Sequence, residues 1–331
     1  MIVAGAGIIG LSCAWRLAQK GLRVTVFDAR EAAQEASWAG AGMLAPGGEV
    51  DSGSRLAELC VRSLGQYGEF VRELTEETGC EIDYRRSGAV EVAFTEADAA
   101  SLSRRAHRQA GIGIPSEACR HGEWAARFYP DDAVVNPRDV THALLVACRR
   151  RGVGIHENEP VISIAESGKA VRTARGEFVD DGIVIAAGAW SSDLIPQLPR
   201  TFPVRGHLIG FQMEPGMIDP ILRSGDTYLL QRRSGIVVAG SSTEKVGFDR
   251  KVDDAVVRDI HRRAARLSTV LGSVQPSEEW IGFRPGIDGA EPSISRLPGR
   301  AIWTAFGHYR NGILLAPETA RMIAVLATSG A

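Results

Sequence analysis

Residues 1–28 read MIVAGAGIIGLSCAWRLAQKGLRVTVFD, and the placing of apolar residues and glycines in this stretch decides the fold. Met1, Ile2, Val3 and Ala4 form an apolar run suited to a short buried strand. It runs into Gly5-Ala6-Gly7-Ile8-Ile9-Gly10, a G-x-G-x-x-G turn. Leu11, Ala14, Leu17 and Ala18 then recur at helical spacing, Gly21 closes the helix, and residues 22–27 read as a second strand ending at Asp28. In such a unit Gly5 allows the tight turn, Gly7 lets a pyrophosphate approach the backbone, and Gly10 lets helix and sheet pack closely. The helix start offers unpaired N–H groups and a positive dipole end to phosphates. Asp28 stands near the spacing expected of a carboxylate that accepts from ribose hydroxyls. The stretch therefore reads as a dinucleotide-binding βαβ unit. Arg30, just beyond, could serve a 2′-phosphate, so the motif alone leaves the choice of dinucleotide open.

The composition narrows the classes. With 331 residues, 44% of them hydrophobic, the chain can bury a large core in two connected lobes. The net charge of −2 gives no electrostatic footprint for nucleic acid. Short basic runs, Arg104-Arg105 and Arg149-Arg150-Arg151, read as solvated helix faces. No apolar run reaches the length of about 18 residues needed to span a membrane. No cationic leader precedes the first apolar residues, which favours a strand over a signal peptide. Only four residues precede Gly5, fewer than a central strand usually has, so a natural start slightly upstream is expected. Five cysteines without a C-x-x-C pair point to reduced, mostly buried thiols in a cytoplasmic protein. The seven histidines show no metal-ligand spacing, so no metal is expected.

Further along, residues 35–46 (EASWAGAGMLAP) are dense in small side chains that let backbone approach something large and flat. Residues 54–78 read as a long amphipathic helix, 84–94 as one or two strands, and 95–109 as a helix opened by a Thr95/Asp98 capping box. Residues 111–135 read as irregular. A helix follows from Asn136-Pro137 to Gly152, then short strands about Ser167-Gly168, and an apolar strand at 183–185 entering the small-residue turn AAGAW. Residues 203–213 and 228–240 read as strands of a second, antiparallel sheet, with a turn at Ser234-Gly235, and 253–271 as one helix. The segment 280–286 returns to that sheet, and 301–305, Gly307 to Gly312 and 313–327 form a last strand, turn and helix. The fold class is thus α/β, a Rossmann-like nucleotide domain (1–80, 137–200, 300–331) interleaved with an α+β domain carrying an antiparallel sheet (81–136, 201–299).

Chemistry gathers near the last turn. Its helix start is a second site suited to developing negative charge, or simply a glycine-bearing turn. Arg284 sits in the otherwise apolar WIGFRPG, where an unpaired charge is costly. It calls for an anion, either a substrate carboxylate gripped bidentately or an internal Asp or Glu. Arg310, in the glycine turn, is the natural second donor, and Tyr228 could bond the other carboxylate oxygen.

Taken together, GAGIIGLSCAWRLA, ASWAGAGMLAP, VIAAGAWSSDL, FPVRG, YLLQRRSG with GSSTEKVGFD, GFRPG and GHYRNGILLAP resemble the D-amino acid oxidase superfamily of FAD-dependent oxidoreductases. The likeness is greatest to its glycine-oxidase-type members of thiamine biosynthesis and covers nearly the whole chain. It implies non-covalent FAD, since a cysteine in the C-terminal half, where related enzymes attach flavin, is missing. It implies that Ile8, Ile9, Asp28 and Ala29 hold the AMP half, and that Ala36, Ser37, Ala41, Gly42 and Met43 line the pyrophosphate and flavin. Val161 would meet the adenine through its backbone. His308, Tyr309, Arg310, Asn311, Gly312, Ile313 and Leu314 would cradle the isoalloxazine. Arg284 and Arg310 would bind the substrate carboxylate with Tyr228 beside it. Two positions depart from the pattern: Asp28 stands for a more usual glutamate, and His207 for a common glutamine. The implied reaction is hydride transfer from the Cα of glycine, sarcosine or a small D-amino acid to flavin N5. The imine product hydrolyses to a 2-oxo acid and ammonia or feeds thiazole formation, and molecular oxygen becomes hydrogen peroxide. A dehydrogenase with another acceptor and a non-catalytic flavin-binding protein are the alternatives. Family analogy also implies a homo-oligomer.

Overall fold

A computed structural model describes residues 1–51, 53–195, 197–289 and 291–329. Its first sheet has six strands, ordered Ser293–Arg296, Ile302–Phe306, Ile183–Ile185, Ile2–Ala4, Thr25–Phe27 and Gly154–His156. All but the edge strand Ser293–Arg296 run parallel. Ile2–Ala4 lies at the centre, with Ile2 in register with Ile183 on one side and Thr25 on the other. It is buried throughout, as a parallel strand covered on both faces must be. The second strand of the motif is shorter than its apolar run, Thr25–Phe27 in place of 22–27, because residues 22–24 carry the chain up from the helix end.

The glycine turn works by close approach. Gly5 has φ of +110°, and a Cβ there would lie 2.4 Å from the Ala186 carbonyl oxygen. A Cβ on Gly10 would lie 1.8 Å from the Gly5 carbonyl oxygen, so helix and strand cross at a separation that only glycine permits. The helix Ile8–Gln19 is buried nearly all round, because it packs under the sheet and against Pro137–Arg150 and Gly312–Thr328. Its Trp15 meets Phe70 of the helix Arg55–Thr78 edge to face at 5.5 Å. Ser54 caps that helix by accepting from the Ala57 N–H at 3.1 Å, and Gly79 ends it at φ +71°.

The second sheet has eight strands, ordered Glu278–Ile287, Thr201–Gln212, Ile236–Gly240, Thr227–Gln231, Ile221–Ser224, Ala89–Ala93, Trp124–Tyr129 and Glu117–His121. Val257, Ile260, Ala264 and Leu267 of the helix Asp254–Leu267 pack onto its Ile209, Phe211, Leu229 and Val237. That helix is shorter than the 253–271 expected from its apolar spacing. Ser268 turns extended, and Thr269–Ser273 is a separate 3₁₀ turn.

Residues 111–135 are a clear correction. They are not irregular: Glu117–His121 and Trp124–Tyr129 form a hairpin about Gly122-Glu123, and Ala133–Val135 is a buried strand between Met43–Leu44 and Tyr84–Arg85. The outer strand of the hairpin is the sheet edge and buries no side chain, and Trp124–Tyr129 buries only Ala126 and Tyr129, so the hairpin lacks the apolar alternation by which strands are read. Arg105 is a second correction, since it turns inward to an ion pair with Glu91 instead of facing solvent. Three of the five free cysteines are buried, Cys13, Cys60 and Cys148. Among the described residues no helix is long and apolar enough to cross a membrane.

Candidate active site

A cavity of about 610 Å³ opens where the parallel strands end, beside Gly5, Asp28, Ala186 and Gly307. This is where open α/β sheets place ligands, and the volume lies in the ordinary range for cofactor sites. At its first end the cavity is lined by Gly5, Gly7, Ile8 and Ile9 together with Asp28, Ala29 and Val161. Ser37 reaches over to accept from the Ile8 N–H at 2.9 Å, tying the small-residue segment to the glycine turn. Asp28 accepts from the Ala6 N–H at 2.6 Å and from the Arg30 N–H at 2.9 Å. Half of its bonding capacity therefore fixes the turn itself, while burial pushes its carboxyl pKa upward against those two bonds. Arg30 is paired to Glu35 at 3.1 Å.

Ala36, Ala41, Gly42 and Met43 line the middle. The Gly42 carbonyl oxygen accepts from the Val135 N–H at 2.9 Å, and a Cβ on Gly42 would strike the Val135 carbonyl oxygen. Residues Ala186 to Trp190 also line the cavity. Beyond them comes the last strand and helix. His308, Tyr309, Arg310, Gly312 and Ile313 face the cavity, whereas Gly10, Asn311 and Leu314 are set behind it. The reason is structural: Gly10 is spent on packing, the Asn311 N–H closes the turn on the His308 carbonyl at 2.8 Å, and the Leu314 carbonyl accepts from Ser63 at 2.7 Å. Tyr309 holds φ at +48°, unusual for a bulky residue, and its N–H donates to the Pro285 carbonyl at 3.0 Å. His308 is buried against Thr319 at 3.0 Å, and burial lowers its pKa to about 3, so the ring is neutral.

Four side chains define the far end: Arg284, Arg310, Tyr228 and Glu49. Arg284 lies over Gly206, where a Cβ would come within 2.3 Å of its guanidinium. Its Nη1 donates to the Ser242 carbonyl at 3.0 Å and its Nη2 to Ser241 Oγ at 2.8 Å. Among the described residues it forms no ion pair, so of its two possible anions the internal one is absent. Arg310 does have acidic partners, Glu49 at 3.2 Å and Asp226 at 3.4 Å. Tyr228 stands with its hydroxyl over Gly240, and burial raises its pKa, keeping it a neutral phenol.

Glu49 escaped the sequence reading. It ends the one-turn helix Pro46–Glu49, which Gln109 anchors by donating to the Gly47 carbonyl at 2.9 Å and the Val50 carbonyl at 2.7 Å. Burial pushes its carboxyl pKa up, opposed first by Arg310 and then by Arg223. Arg223 itself is held by Glu91 at 2.9 Å and by Asp132. Gly206 and Ser241 lie within FPVRG and GSSTEKVGFD, and only the fold brings them to Arg284.

The cavity is long, glycine-lined at both strand-to-helix turns, walled by small residues between, and charged at the far end. That arrangement fits a dinucleotide carrying a flat ring, with room left beside Arg284 for a small acid. Comparison with known proteins agrees. The sequence profile of the FAD dependent oxidoreductase family, DAO, matches residues 1–326. A bifunctional protein ThiO/ThiG from Synechocystis is 36% identical over 98% of this chain and 51% of its own length. A glycine oxidase from Pseudomonas aeruginosa is 31% identical over 98% of this chain and 94% of its own. The crystal structure of glycine oxidase from Geobacillus kaustophilus superposes with a TM-score of 0.95 at 28% identity, covering 99% of this chain and 94% of that one. The chain thus spans about half of the bifunctional relative and nearly all of the two glycine oxidases. It belongs to the DAO family of FAD-dependent oxidoreductases.

Proposed function

We propose that the protein oxidises glycine and other small amines, among them sarcosine and small D-amino acids, to the imine. The observation that carries this reading is Arg284, a cavity-facing guanidinium whose acceptors among the described residues are neutral. A charge so placed is completed by a ligand carboxylate, which its planar fork suits. Arg310 supplies the second grip and Tyr228 a neutral hydroxyl donor. FAD, bound along the remaining cavity, supplies the two-electron acceptor. The protein's own contribution is orientation, since two arginines fixing the carboxylate leave the Cα–H bond little freedom. His308 is neutral and committed to Thr319, so it steadies the turn and moves no proton. No protein base is required if the amine arrives neutral.

In this proposal the imine hydrolyses to 2-oxo acid and ammonia, or enters thiazole formation in thiamine biosynthesis, and oxygen is reduced to hydrogen peroxide. The cofactor part comprises 1–80, 137–200 and 300–331, and the substrate part 81–136 and 201–299. The protein acts in the cytoplasm as a homo-oligomer. The decisive experiment is an anaerobic visible spectrum before and after adding glycine. Bleaching of the band at about 450 nm followed by recovery in air supports an oxidase. Bleaching without recovery indicates a dehydrogenase with another acceptor. A yellow protein unbleached by glycine, sarcosine or D-alanine would overturn the proposal in favour of a non-catalytic flavin protein.

A further inference from the structure

Behind Arg284, outside the cavity, lies a compact polar network that the reaction itself does not use. Glu244 is its hub. One carboxylate oxygen accepts from Arg205 Nη2 at 2.9 Å. The other faces Arg205 Nε at 3.3 Å, Ser242 Oγ at 2.9 Å and His207 Nδ1 at 2.8 Å. Arg205 and His207 are almost wholly buried, at 4% and 0% exposure, so neither can trade these bonds for water. The Asp253 N–H donates to His207 Nε2 at 3.0 Å, which puts the ring proton on Nδ1, toward Glu244. Arg205 and Glu244 also exchange backbone hydrogen bonds at 2.9 and 3.0 Å.

The network ends on the substrate side through Ser242. Its hydroxyl accepts from the His207 N–H at 2.9 Å and donates to Glu244, so it is fixed from both directions. Its carbonyl is then the acceptor for Arg284 Nη1, and the preceding Ser241 Oγ is the acceptor for Nη2. We infer that Glu244 is a positioning residue, which through Ser242 sets the plane of the Arg284 guanidinium and hence the pose of the substrate carboxylate. The arrangement has a physical logic. An acid placed directly on Arg284 would neutralise the charge that the ligand needs. An acid placed one serine away orients the guanidinium through neutral acceptors and leaves its charge unspent.

This inference rests on the carboxylate-clamp reading of Arg284, and its test separates the two. Glu244 could instead serve only to hold residues 249–251, which Arg205 grips through Asp249 at 2.8 Å and the Lys251 carbonyl at 3.0 Å. The holoenzyme and its Glu244→Gln, Ser242→Ala and Arg284→Ala variants are compared for glycine KM and kcat, for acetate Kd from the flavin spectrum, and for Tm. Expected are rises of about tenfold in KM and acetate Kd for Glu244→Gln and Ser242→Ala, with kcat and FAD content nearly unchanged. Arg284→Ala raises both by about a hundredfold or more, and adding Glu244→Gln to it brings little further loss in Kd. A lower Tm with unchanged acetate Kd in Glu244→Gln and Ser242→Ala overturns the inference while the Arg284 reading stands. Unchanged acetate Kd in Arg284→Ala overturns both. Should Glu244→Gln fail to fold, Ser242→Ala, which removes only one hydroxyl, decides on the same criterion.

Discussion

The two ends of the cavity are made by opposite means. At the dinucleotide end the protein removes side chains: Gly5 and Gly10 bring backbone within reach of backbone, and Asp28 spends two bonds on the turn. At the far end it buries charge. Arg310 meets Glu49 and Asp226, Arg223 meets Glu91 and Asp132, and Arg284 forms no ion pair among the described residues. Where backbone meets backbone, as at Gly5 and Gly10, the effect is all-or-none, because an added methyl has nowhere to go. A charge-built site is graded, because each pair contributes a share and a lost partner leaves a weaker field. The contrast can be broken, and the largest effect should come from the glycines. Gly10→Ala places a Cβ 1.8 Å from a carbonyl oxygen, so loss of folded protein is expected. In Gly7→Ala the new Cβ meets only Ser37 Oγ, at 3.2 Å, so the chain should fold while FAD affinity, read by flavin fluorescence, falls by about a hundredfold. If Gly10→Ala folds and keeps flavin, the turn is more pliant than its geometry states.

At the charged end the next effect belongs to Arg284. Arg284→Ala should raise the substrate KM by about a hundredfold or more with FAD retained, the cost of losing the free member of a charged hydrogen-bonded pair. Gly206→Ala should raise it by about tenfold, since the new Cβ displaces the guanidinium without removing it. Equal KM values for both variants and the parent protein would end the clamp reading.

How far each end could be read from sequence follows from the same contrast. The glycine turn is local, so its spacing, strand and helix stand together in one stretch. Arg284 was also legible, because a charge inside an apolar strand announces itself. Glu49 was not. Its role depends on Arg310, far along the chain, and on Gln109 pinning its short helix, and none of this leaves a mark near residue 49. The strands Glu117–His121 and Trp124–Tyr129 were missed for a different reason: the edge strand buries no side chain and its inner neighbour buries only Ala126 and Tyr129, so neither shows an apolar alternation.

His308 lies between the two ends and ties the protein's stability to pH. In the unfolded chain its imidazole titrates near 6.5, and in the folded protein burial lowers that to about 3. The native state therefore binds fewer protons than the unfolded one between these values. The stability is fully present above pH 6.5 and is lost as pH falls toward about 3, at about 1.4 kcal/mol per pH unit. His308→Gln should flatten the dependence of Tm on pH across that window. The same slope in both proteins would show that the imidazole is protonated in place.

Glu49 offers the smallest effect and the sharpest test of the graded end. Its carboxylate lies 3.2 Å from Arg310, the group proposed to grip the ligand carboxylate. The two carboxylates compete for one guanidinium, so removing the charge on Glu49 should tighten acetate binding by a few-fold at neutral pH. Burial raises the Glu49 pKa from its ordinary 4.5, so protonation on acidification has the same effect in the parent protein. Affinity for the acetate anion, corrected for the acetate that is itself protonated, should therefore rise as pH falls toward that raised carboxyl range, and Glu49→Gln should abolish the rise. Weaker acetate binding in Glu49→Gln would mean that the acid orients Arg310 instead of competing for it. The charged end would then be as cooperative as the glycine end, and the contrast between them would be one of materials alone.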